Sequence, residues 1–501
     1  MIHYTMVMLK RIYALFGGRR WLIAVVFLSS VGAFLRLFRI LETTTFLGDQ
    51  GRDAIIMKSI VTLQNLPALG PITSVGSIYL GPLYYYLMSP WLLLFGFDPI
   101  GPSVGVAIIA SLALLLQYFA IKDTINKETA LISVIFSTFS WALVEYSRFS
   151  WNPNLLPHVS LFSVYTLFKA VETKKLRYFI FHGLLLSLAV QLHYLAIFLL
   201  PLTAGVLLYQ LVIAKKLIKQ YFIKLFALIT SFSLALSPFI LFEFIHSFPN
   251  IKSVLRFSQE NTAANTTPFF DELSNSLLSS FRYAFQFNPH SNFTFVLTLI
   301  LLALFVYGLK KKRSIAYVVG SFFILIVGVS LYRGPKYTHY LGGTYLLLYV
   351  SLGYLMARII KSNRIFGLAL SALIIIFYIS MQIPKYYFLF DKEYQFQTDR
   401  ARTIAGMVIS LDTQLPYTFT SSPEAYADYP ARYFLNVMGK KPIDKEQDAY
   451  VPTKELFVFC DKDCNPMDDP QWAIAHFNPK KITNIKTNSK YPEFKVYKLT
   501  R

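Results

Sequence analysis

Apolar runs of roughly 18–22 residues recur along the chain from Trp21 to about residue 384, separated by short polar stretches. About 20 apolar residues in a helix cross the hydrocarbon core of a bilayer. The pattern therefore predicts an all-α polytopic membrane protein with about eleven transmembrane helices. The expected spans are 21–38, 101–120, 129–147, 155–171, 178–192, 195–213, 221–243, 293–309, 314–331, 340–358 and 365–384.

One further apolar run, 83–97, is short for a span and contains the tyrosine triplet Tyr84–Tyr86. Prolines bracket and interrupt it at Pro82, Pro90 and Pro99. Amphipathic aromatic side chains favour the membrane–water interface. We therefore predict an external juxtamembrane helix here. The alternative, in which this run crosses the membrane and one basic pair faces outward, is less favoured.

Charge patterning sets the expected orientation. The chain carries a formal net charge of +21, and its Lys and Arg residues concentrate in short clusters between the apolar runs. Such clusters usually face the cytoplasm, so the charge reports membrane topology rather than a nucleic-acid partner. We expect a multi-pass protein of a prokaryotic plasma membrane with a cytoplasmic N-terminus. The clusters are Lys10/Arg11/Arg19/Arg20, Lys122/Lys127, Lys169/Lys174/Lys175/Arg177, Lys215/Lys216/Lys219, Lys310–Arg313 and Arg358/Lys361/Arg364.

After residue 385 the hydropathy falls and the charge density rises. We predict a membrane domain over 1–385, with an external loop at 40–100, and a small extracytoplasmic α/β domain over 386–501. The strand-like runs of the second domain are Tyr417–Ser421, Leu456–Cys460 and Phe494–Leu499, and its helix-like run is Glu424–Val437.

The predicted topology collects the polar loops on the outer face and leaves short basic loops in the cytoplasm. We therefore expect the chemistry on the outer face. The two cysteines, Cys460 and Cys464, also fall there. In an oxidising compartment a disulfide across their tight loop is favoured over a zinc site, for which the local sequence offers no further ligands.

The densest charged motif is Gly48–Asp53, just after the first span, with Asp49, Arg52 and Asp53 in five residues. A carboxylate at the membrane edge can act as a general base on an acceptor hydroxyl. The structural alternative is that Asp49 caps an amphipathic helix and Asp53 favours its first turn. We predict Asp49 and Asp53 as catalytic residues.

Polar and aromatic residues also mark the outer ends of other predicted spans. An arginine at such a depth is costly to insert and needs an acidic or phosphate partner. Each residue alone also has a structural explanation, such as an interfacial anchor or a satisfied core histidine. The predicted substrate-binding residues are Arg52, Tyr84, Arg148, Asn152, Asn154, His193, Lys336 and His339.

On these residues the chain resembles the GT-C membrane glycosyltransferases, and within them the protein O-mannosyltransferase and lipid A aminoarabinose transferase branch. The resemblance rests on the acidic motif Gly48–Asp53, the Pro-Leu-Tyr-Tyr run Pro82–Tyr86, the Ser147–Arg148 pair and an external C-terminal domain. It implies a GT-C fold, a polyprenyl-phosphate sugar donor, an active site on the outer face and Asp49 as the catalytic acid–base residue.

The chain departs from these patterns at three places. The aminoarabinose transferases have a lysine before the Pro-Leu-Tyr-Tyr run, where this chain has Gly81. The donor phosphate contact is therefore expected from Arg148 or Lys336. The mannosyltransferases have adjacent acids, whereas Asp49 and Asp53 are four residues apart. The second acidic motif of the oligosaccharyltransferases is replaced by a segment containing two asparagines, so we predict no obligatory divalent metal and no other cofactor.

We therefore predict a glycosyltransferase that moves a hexose or pentose from a polyprenyl phosphate to an envelope lipid, glycan or protein, by inverting single displacement. One alternative is a lipid-linked saccharide flippase or exporter, which would place ionisable residues at mid-membrane in pseudo-symmetric halves. Another is an envelope polysaccharide polymerase or ligase, which would gather arginines in a large central external loop. Loop 244–292 holds only scattered basic residues, which weakens this second alternative.

Overall fold

The computed structural model describes residues 20–73, 77–213, 218–264, 267–332, 336–391, 396–422, 428–443, 453–461 and 464–501. Its helices are α1 (Arg20–Leu37), α2 (Ile40–Thr43), α3 (Gly48–Val61), α4 (Leu83–Leu94), α5 (Ile100–Thr124), α6 (Lys127–Phe139), α7 (Trp141–Glu145), α8 (Leu156–Thr173), α9 (Leu176–Leu192), α10 (Leu199–Ile213), α11 (Ile218–Ala235), α12 (Ser237–Ile245), α13 (Pro249–Ala264), α14 (Phe269–Phe285), α15 (Ser291–Lys311), α16 (Arg313–Leu331), α17 (Gly342–Ser362), α18 (Arg364–Gln382), α19 (Tyr387–Phe390), α20 (Gln397–Ile409), α21 (Tyr429–Val437) and α22 (Trp472–Phe477). Short 3-10 turns cover Asn152–Leu155, Tyr194–Phe198, Thr338–Leu341 and Ile383–Lys385.

The predicted all-α polytopic architecture is confirmed. Within the described residues, seven helical segments are long and apolar enough to cross a membrane, and the bent pair α11–α12 would make an eighth. The predicted spans 129–147, 155–171 and 178–192 correspond to α6 with α7, to α8 and to α9, which are shorter or less apolar. The total of eleven spans therefore stays a prediction, as does the cytoplasmic N-terminus, whose first 19 residues lie outside the described part.

The centre of the bundle is α17. Its residues Leu346 to Val350 have no exposed surface, so this stretch is apolar and buried on every side. It packs against α6, α8, α16 and α18. Because α17 begins at Gly342, shortly after His339 and Tyr340, the bundle core fixes the position of those two residues at the end of the bundle that carries the acidic motif.

Short and bent helices surround this end of the bundle. Helix α4 has 12 residues, about 18 Å, which is too short to cross a hydrocarbon core of about 30 Å. The two halves of α11–α12 meet at 73°. Helix α13 then exposes Ile251, Val254 and Leu255. These elements have the length and surface expected of juxtamembrane helices.

The C-terminal region forms a four-stranded sheet in the order β1-β2-β4-β3, with β1 parallel to β2 and the other pairs antiparallel. The strands are β1 (Thr418–Ser422), β2 (Glu455–Cys460), β3 (Lys481–Thr487) and β4 (Lys495–Thr500). The ends of β1, β2 and β4 lie within one residue of the ends of the three predicted strand-like runs. The exposed strand β3 and the helices α20 and α22 were not predicted. Cys460 and Cys464 form a disulfide, as predicted.

This region docks on the acidic motif through α21 and α3. The approach is so close that a Cβ on Gly51 would lie 2.5 Å from the nitrogen of Pro430, so only glycine fits there. The Tyr433 hydroxyl donates to the Phe97 carbonyl at 2.6 Å, and Lys58 Nζ donates to Asn436 Oδ1 at 3.1 Å. The helix that carries Asp49 is therefore held between the bundle and the C-terminal sheet domain.

Candidate active site

Helix α3 positions the acidic motif. Gln50 Oε1 accepts a hydrogen bond from the Leu47 backbone N–H at 3.0 Å, which closes the first turn. Asp49 lies in that turn, where the positive end of the helix dipole favours a carboxylate. The favourable helix position and a chemical role for Asp49 are therefore compatible.

Arg52 joins the two acids of the motif. Its Nη1 atom lies 3.0 Å from Asp49 Oδ1, while Nε and Nη2 donate to Asp53 Oδ1 at 3.0 and 2.8 Å. The Asp49 side chain is 35% exposed, whereas those of Arg52 and Asp53 are 16% and 2% exposed. One guanidinium thus holds an accessible carboxylate and a buried one at the same time. We call these three residues the Asp49–Arg52–Asp53 cluster.

Asp53 is the buried member of this cluster. Burial raises the pKa of Asp53 to about 6, in spite of the opposing charge of Arg52. The Tyr85 hydroxyl also donates to Asp53 Oδ1, at 3.1 Å, while Oδ2 has no hydrogen-bond partner among the described residues. Tyr85 was not predicted as a site residue, although it lies in the Tyr84–Tyr86 triplet that drew attention to this region.

A cavity of about 340 Å³ opens beside the cluster, a volume within the range of small-molecule sites. Its wall comes from segments far apart in the sequence. Five of the ten predicted site residues line it, namely Asp49, Arg52, Asn152, His193 and His339. The other described lining residues are Pro71, Ile72, Thr73, Leu80, Trp151, Pro153, Tyr194 and Tyr340.

Aromatic rings form another part of the wall. The centroid of the His339 ring lies 4.6 Å from that of Trp151 and 4.6 Å from that of Tyr340, and His193 stacks on Tyr194 at 4.6 Å. Trp151, Tyr194 and Tyr340 were not singled out from the sequence as site residues. The cavity therefore combines a charged cluster with an aromatic surface, a pairing suited to a ligand that has both apolar and polar faces.

A hairpin closes the cavity on a third side. The Gly70 N–H donates to the Leu80 carbonyl and the Leu80 N–H to the Pro71 carbonyl, at 2.8 and 3.0 Å. The Tyr79 N–H donates to Asn250 Oδ1 at 2.7 Å, and Asn250 Nδ2 donates to the buried Glu243 carboxylate at 2.7 Å. We call this chain of contacts the Tyr79–Asn250–Glu243 clamp. It ties the cavity wall to α12 and α13, and no pattern in the sequence predicts it.

Three predicted residues lie behind the cavity wall. Asp53 is one. The Tyr84 hydroxyl is 2.7 Å from Ser150 Oγ, and Asn154 Nδ2 donates to the Phe149 carbonyl at 2.8 Å. Both residues are buried. They fix the Ser150–Asn154 turn, which carries Trp151 and Asn152 to the cavity.

Arg148 is not brought to the cavity. Its Nη1 donates to the carbonyls of Leu35 and Arg36 at 2.8 and 3.1 Å, and its Nη2 donates to the Phe38 carbonyl at 2.9 Å and to Thr43 Oγ1 at 2.5 Å. The carbonyls at the C-terminal end of α1 lack partners within that helix, so a guanidinium satisfies them. An acidic or phosphate partner was expected for Arg148, but its hydrogen-bond acceptors are mainly backbone carbonyl oxygens.

Lys336 lies one layer behind the wall. Its Nζ is 2.9 Å from Glu272 Oε2 and also donates to the Tyr332 carbonyl. The Tyr332 ring packs 5.4 Å from Tyr340, which lines the cavity. Arg333, named with Lys336 as a candidate cation, lies outside the described residues. For metals, the described residues contain no group of three or more His, Cys, Asp or Glu side chains placed to hold an ion.

Comparisons with known proteins agree with this architecture. The family model of dolichyl-phosphate-mannose-protein mannosyltransferases matches residues 80–242. The crystal structure of ArnT from Cupriavidus metallidurans bound to undecaprenyl phosphate has a TM-score of 0.62 at 11% identity, covering 96% of this chain and 98% of that one. No curated protein matches the chain.

Two oligosaccharyltransferase structures from Archaeoglobus fulgidus are also similar. AglB in complex with an inhibitory peptide and a dolichol-phosphate has a TM-score of 0.50 at 12% identity, covering 88% of this chain and 70% of that one. The enzyme tethered with an acceptor peptide has a TM-score of 0.53 at 13% identity, covering 89% and 69%.

Proposed function

We propose that the chain, which has the fold of the GT-C membrane glycosyltransferases and matches the mannosyltransferase model over residues 80–242, is an enzyme of this kind and transfers a hexose or pentose from a polyprenyl phosphate to an envelope acceptor. The resemblance found in the sequence is thereby confirmed. The donor, the acceptor and the residue roles below are our proposal. So is the location in a prokaryotic plasma membrane with the cavity and the C-terminal domain outside.

One observation carries the proposal. The accessible Asp49 carboxylate and the Arg52 guanidinium lie together in the wall of a cavity that also gathers Asn152, His193 and His339. A carboxylate beside a fixed cation can take up a proton while the cation stabilises a developing anion. Both functions are needed to replace a phosphate leaving group by an acceptor oxygen.

In the proposed step, Asp49 accepts the proton of the acceptor hydroxyl or amine. The acceptor atom forms a bond to the anomeric carbon, and the bond from that carbon to the phosphate oxygen breaks. Polyprenyl phosphate leaves as an anion with the bonding electrons, so no general acid is required. A single displacement of this kind inverts the anomeric configuration, unlike the double displacement of a carboxylate pair in retaining glycosidases.

Arg52 is the proposed contact for the phosphate, because it is the arginine in the described cavity wall. Lys336 is paired with Glu272 behind Tyr340, so its proposed role is to support the cavity wall. Asn152, His193 and His339 are the proposed sugar contacts, with Trp151 supplying an apolar surface. Asp53 holds helix α3, Tyr84 and Asn154 hold the Ser150–Asn154 turn, and Arg148 holds the C-terminal end of α1.

The compared structures support a polyprenyl donor in general terms. The ArnT structure contains undecaprenyl phosphate and the AglB structure contains a dolichol-phosphate. Both are lipids with a phosphate on a long isoprenoid chain. A related lipid would approach this chain from the membrane around the outer end of the bundle, where α4, α12 and α13 lie.

The test is incubation of the purified protein with a panel of polyprenyl-phosphate sugars, scored by release of polyprenyl phosphate. We expect release with at least one donor and none from the Asp49→Asn variant. The matched control is Asp98→Asn. Asp98 is 36% exposed, close to the 35% of Asp49, and also pairs with an arginine, at 2.7 Å, but it is absent from the described cavity lining. Full activity of Asp49→Asn would overturn the assignment.

A further inference from the structure

A second cavity lies at the opposite end of the bundle from the candidate active site. Helix α17 begins beside the active-site cavity and runs for 21 residues, about 30 Å, before it reaches this second cavity with its last turns. The volume is about 580 Å³. Its polar described lining residues are Asn126, Glu128, Lys312, Tyr354, Arg358 and Lys361.

Positive charge dominates this lining. Lys312, Arg358 and Lys361 face one carboxylate, that of Glu128, and Glu128 already has Lys127 at 3.9 Å. No carboxylate in the described part of the chain pairs with any of the three lining cations. The Arg358 guanidinium lies 5.7 Å from the centre of the Tyr307 ring, which leaves its hydrogen-bond donors available.

Two helix N-termini add to this charge. Asn126 is the N-cap of α6 and Lys312 the N-cap of α16, and both residues line the cavity. The positive ends of these helix dipoles favour an anion at the same place. Arg358 and Lys361 lie near the C-terminal end of α17, where cations are favourable even without a ligand. Lys312 is the C-cap of α15 as well as the N-cap of α16, so the two helix dipoles act in opposite directions at this residue.

A contrast on the same face of the bundle shows how cations are otherwise neutralised there. Lys169 lies 3.2 Å from Asp123 and 2.9 Å from Glu172, so its charge is satisfied within the protein. The three cations of the second cavity have no such arrangement. A polyanionic or phosphate-bearing ligand would supply the missing charge.

We propose that this cavity binds the phosphate headgroup of an anionic phospholipid in the leaflet opposite the active site. The cavity sits at the ends of membrane-spanning helices, where lipid headgroups lie. Helix α15, which carries Tyr307, exposes Leu302, Val306 and Leu309 and so offers an apolar surface to acyl chains. Ile125 and Ile360 add apolar side chains to the cavity lining itself. Free phosphate would not use these apolar contacts.

The experiment measures binding of phosphatidylglycerol to the purified full chain in detergent, by retained lipid in native mass spectrometry and by thermal unfolding. Phosphatidylcholine and inorganic phosphate are the comparison ligands. The test variant is Lys312→Gln/Arg358→Gln/Lys361→Gln. The control variant is Lys174→Gln/Lys175→Gln/Arg177→Gln, which removes three exposed cations from another loop of the same face.

We expect phosphatidylglycerol to be retained and to raise Tm, and phosphatidylcholine and inorganic phosphate to have little effect. The test variant should bind phosphatidylglycerol more weakly by a factor on the order of 100, and the control variant much less so. Equal losses in both variants would mean diffuse charge attraction and would overturn the site, as would equal stabilisation by inorganic phosphate. If the triple variant does not fold, the single variant Arg358→Lys takes its place, because it keeps the positive charge. This variant should retain phosphatidylglycerol. Complete loss of the lipid would contradict the proposal.

Discussion

Arg52 and Arg148 are both largely buried arginines near the same end of the bundle, but they are held in different ways. Arg52 bridges two carboxylates, one of them in the cavity wall. Arg148 donates to three backbone carbonyls at the end of α1 and to the hydroxyl of Thr43, the last residue of α2. Carboxylates can change protonation or release a cation to a ligand, whereas backbone carbonyls cannot. The partners of a buried arginine therefore separate a reactive site from a structural one.

Of the changes that compare these two arginines, loss of the Arg52 bridge should have the largest effect. In Arg52→Lys an ammonium replaces the planar fork that joins Asp49 to Asp53, so the two carboxylates lose their common support. We expect sugar transfer to fall by about 100- to 1000-fold, the usual cost of losing a preorganised donor to a developing anion. The measurement is polyprenyl phosphate release per folded molecule. Undiminished release would show that the bidentate bridge has no catalytic use.

Arg148→Gln should affect folding more than transfer. The carbonyls of Leu35, Arg36 and Phe38 would lose their common donor in a buried place, at a cost of more than about 3 kcal/mol. A lower Tm with a smaller loss of transfer than in Arg52→Lys is the expected pattern. The reverse pattern, a normal Tm with abolished transfer, would show that Arg148 binds the substrate after all.

These two residues also show how far the sequence can predict the site. The motif Gly48–Asp53 contains its own partners, and the fold brings Asp49 and Arg52 to the cavity as expected. Arg148 could not be placed, because its acceptors are backbone atoms more than 100 residues away in the sequence. No sequence pattern encodes such contacts.

The same limit applies to the fold. The long apolar runs predict the helices of the bundle, and β1, β2 and β4 match runs of apolar and β-branched residues. Strand β3 was missed because its polar sequence lacks a buried side and pairs only with β4. Asn250 was missed because a single asparagine in the first turn of a helix adds nothing to an apolar pattern, and only the folded chain shows that it contacts both Tyr79 and Glu243.

Asp53 gives a pH test of the cluster. Since its folded pKa of about 6 lies above the ordinary value of 3.8, the folded chain binds this proton more tightly than the unfolded chain. Stability from this group is therefore full below about pH 4 and is lost as the pH rises to about 6, by up to about 3 kcal/mol. In Asp53→Asn, thermal unfolding should lack this pH-dependent loss. An identical pH dependence in both proteins would contradict the buried state of Asp53.

Gly51→Ala tests the contact between α3 and the C-terminal domain. The new methyl group would meet the backbone of Tyr429 and Pro430 at 2.5 to 2.6 Å, and backbone cannot move aside as a side chain can. We expect a loss of about 1–3 kcal/mol and reduced transfer. Gly406→Ala is the control, because nothing lies within 4 Å of its Cβ position in helix α20. That variant should be neutral or slightly more stable.

The smallest expected effect concerns the Tyr79–Asn250–Glu243 clamp. In Asn250→Ala the Tyr79 N–H loses its acceptor and Glu243 loses a donor, so the hairpin that lines the cavity is held less firmly. We expect KM for the lipid donor to rise about fivefold, equivalent to roughly 1 kcal/mol, with little change in kcat. Asn250→Asp should be worse than Asn250→Ala, because it places a second carboxylate against buried Glu243. If both Asn250 variants keep the wild-type KM while Arg52→Lys does not, donor binding depends on the charged wall of the cavity and not on the position of the hairpin.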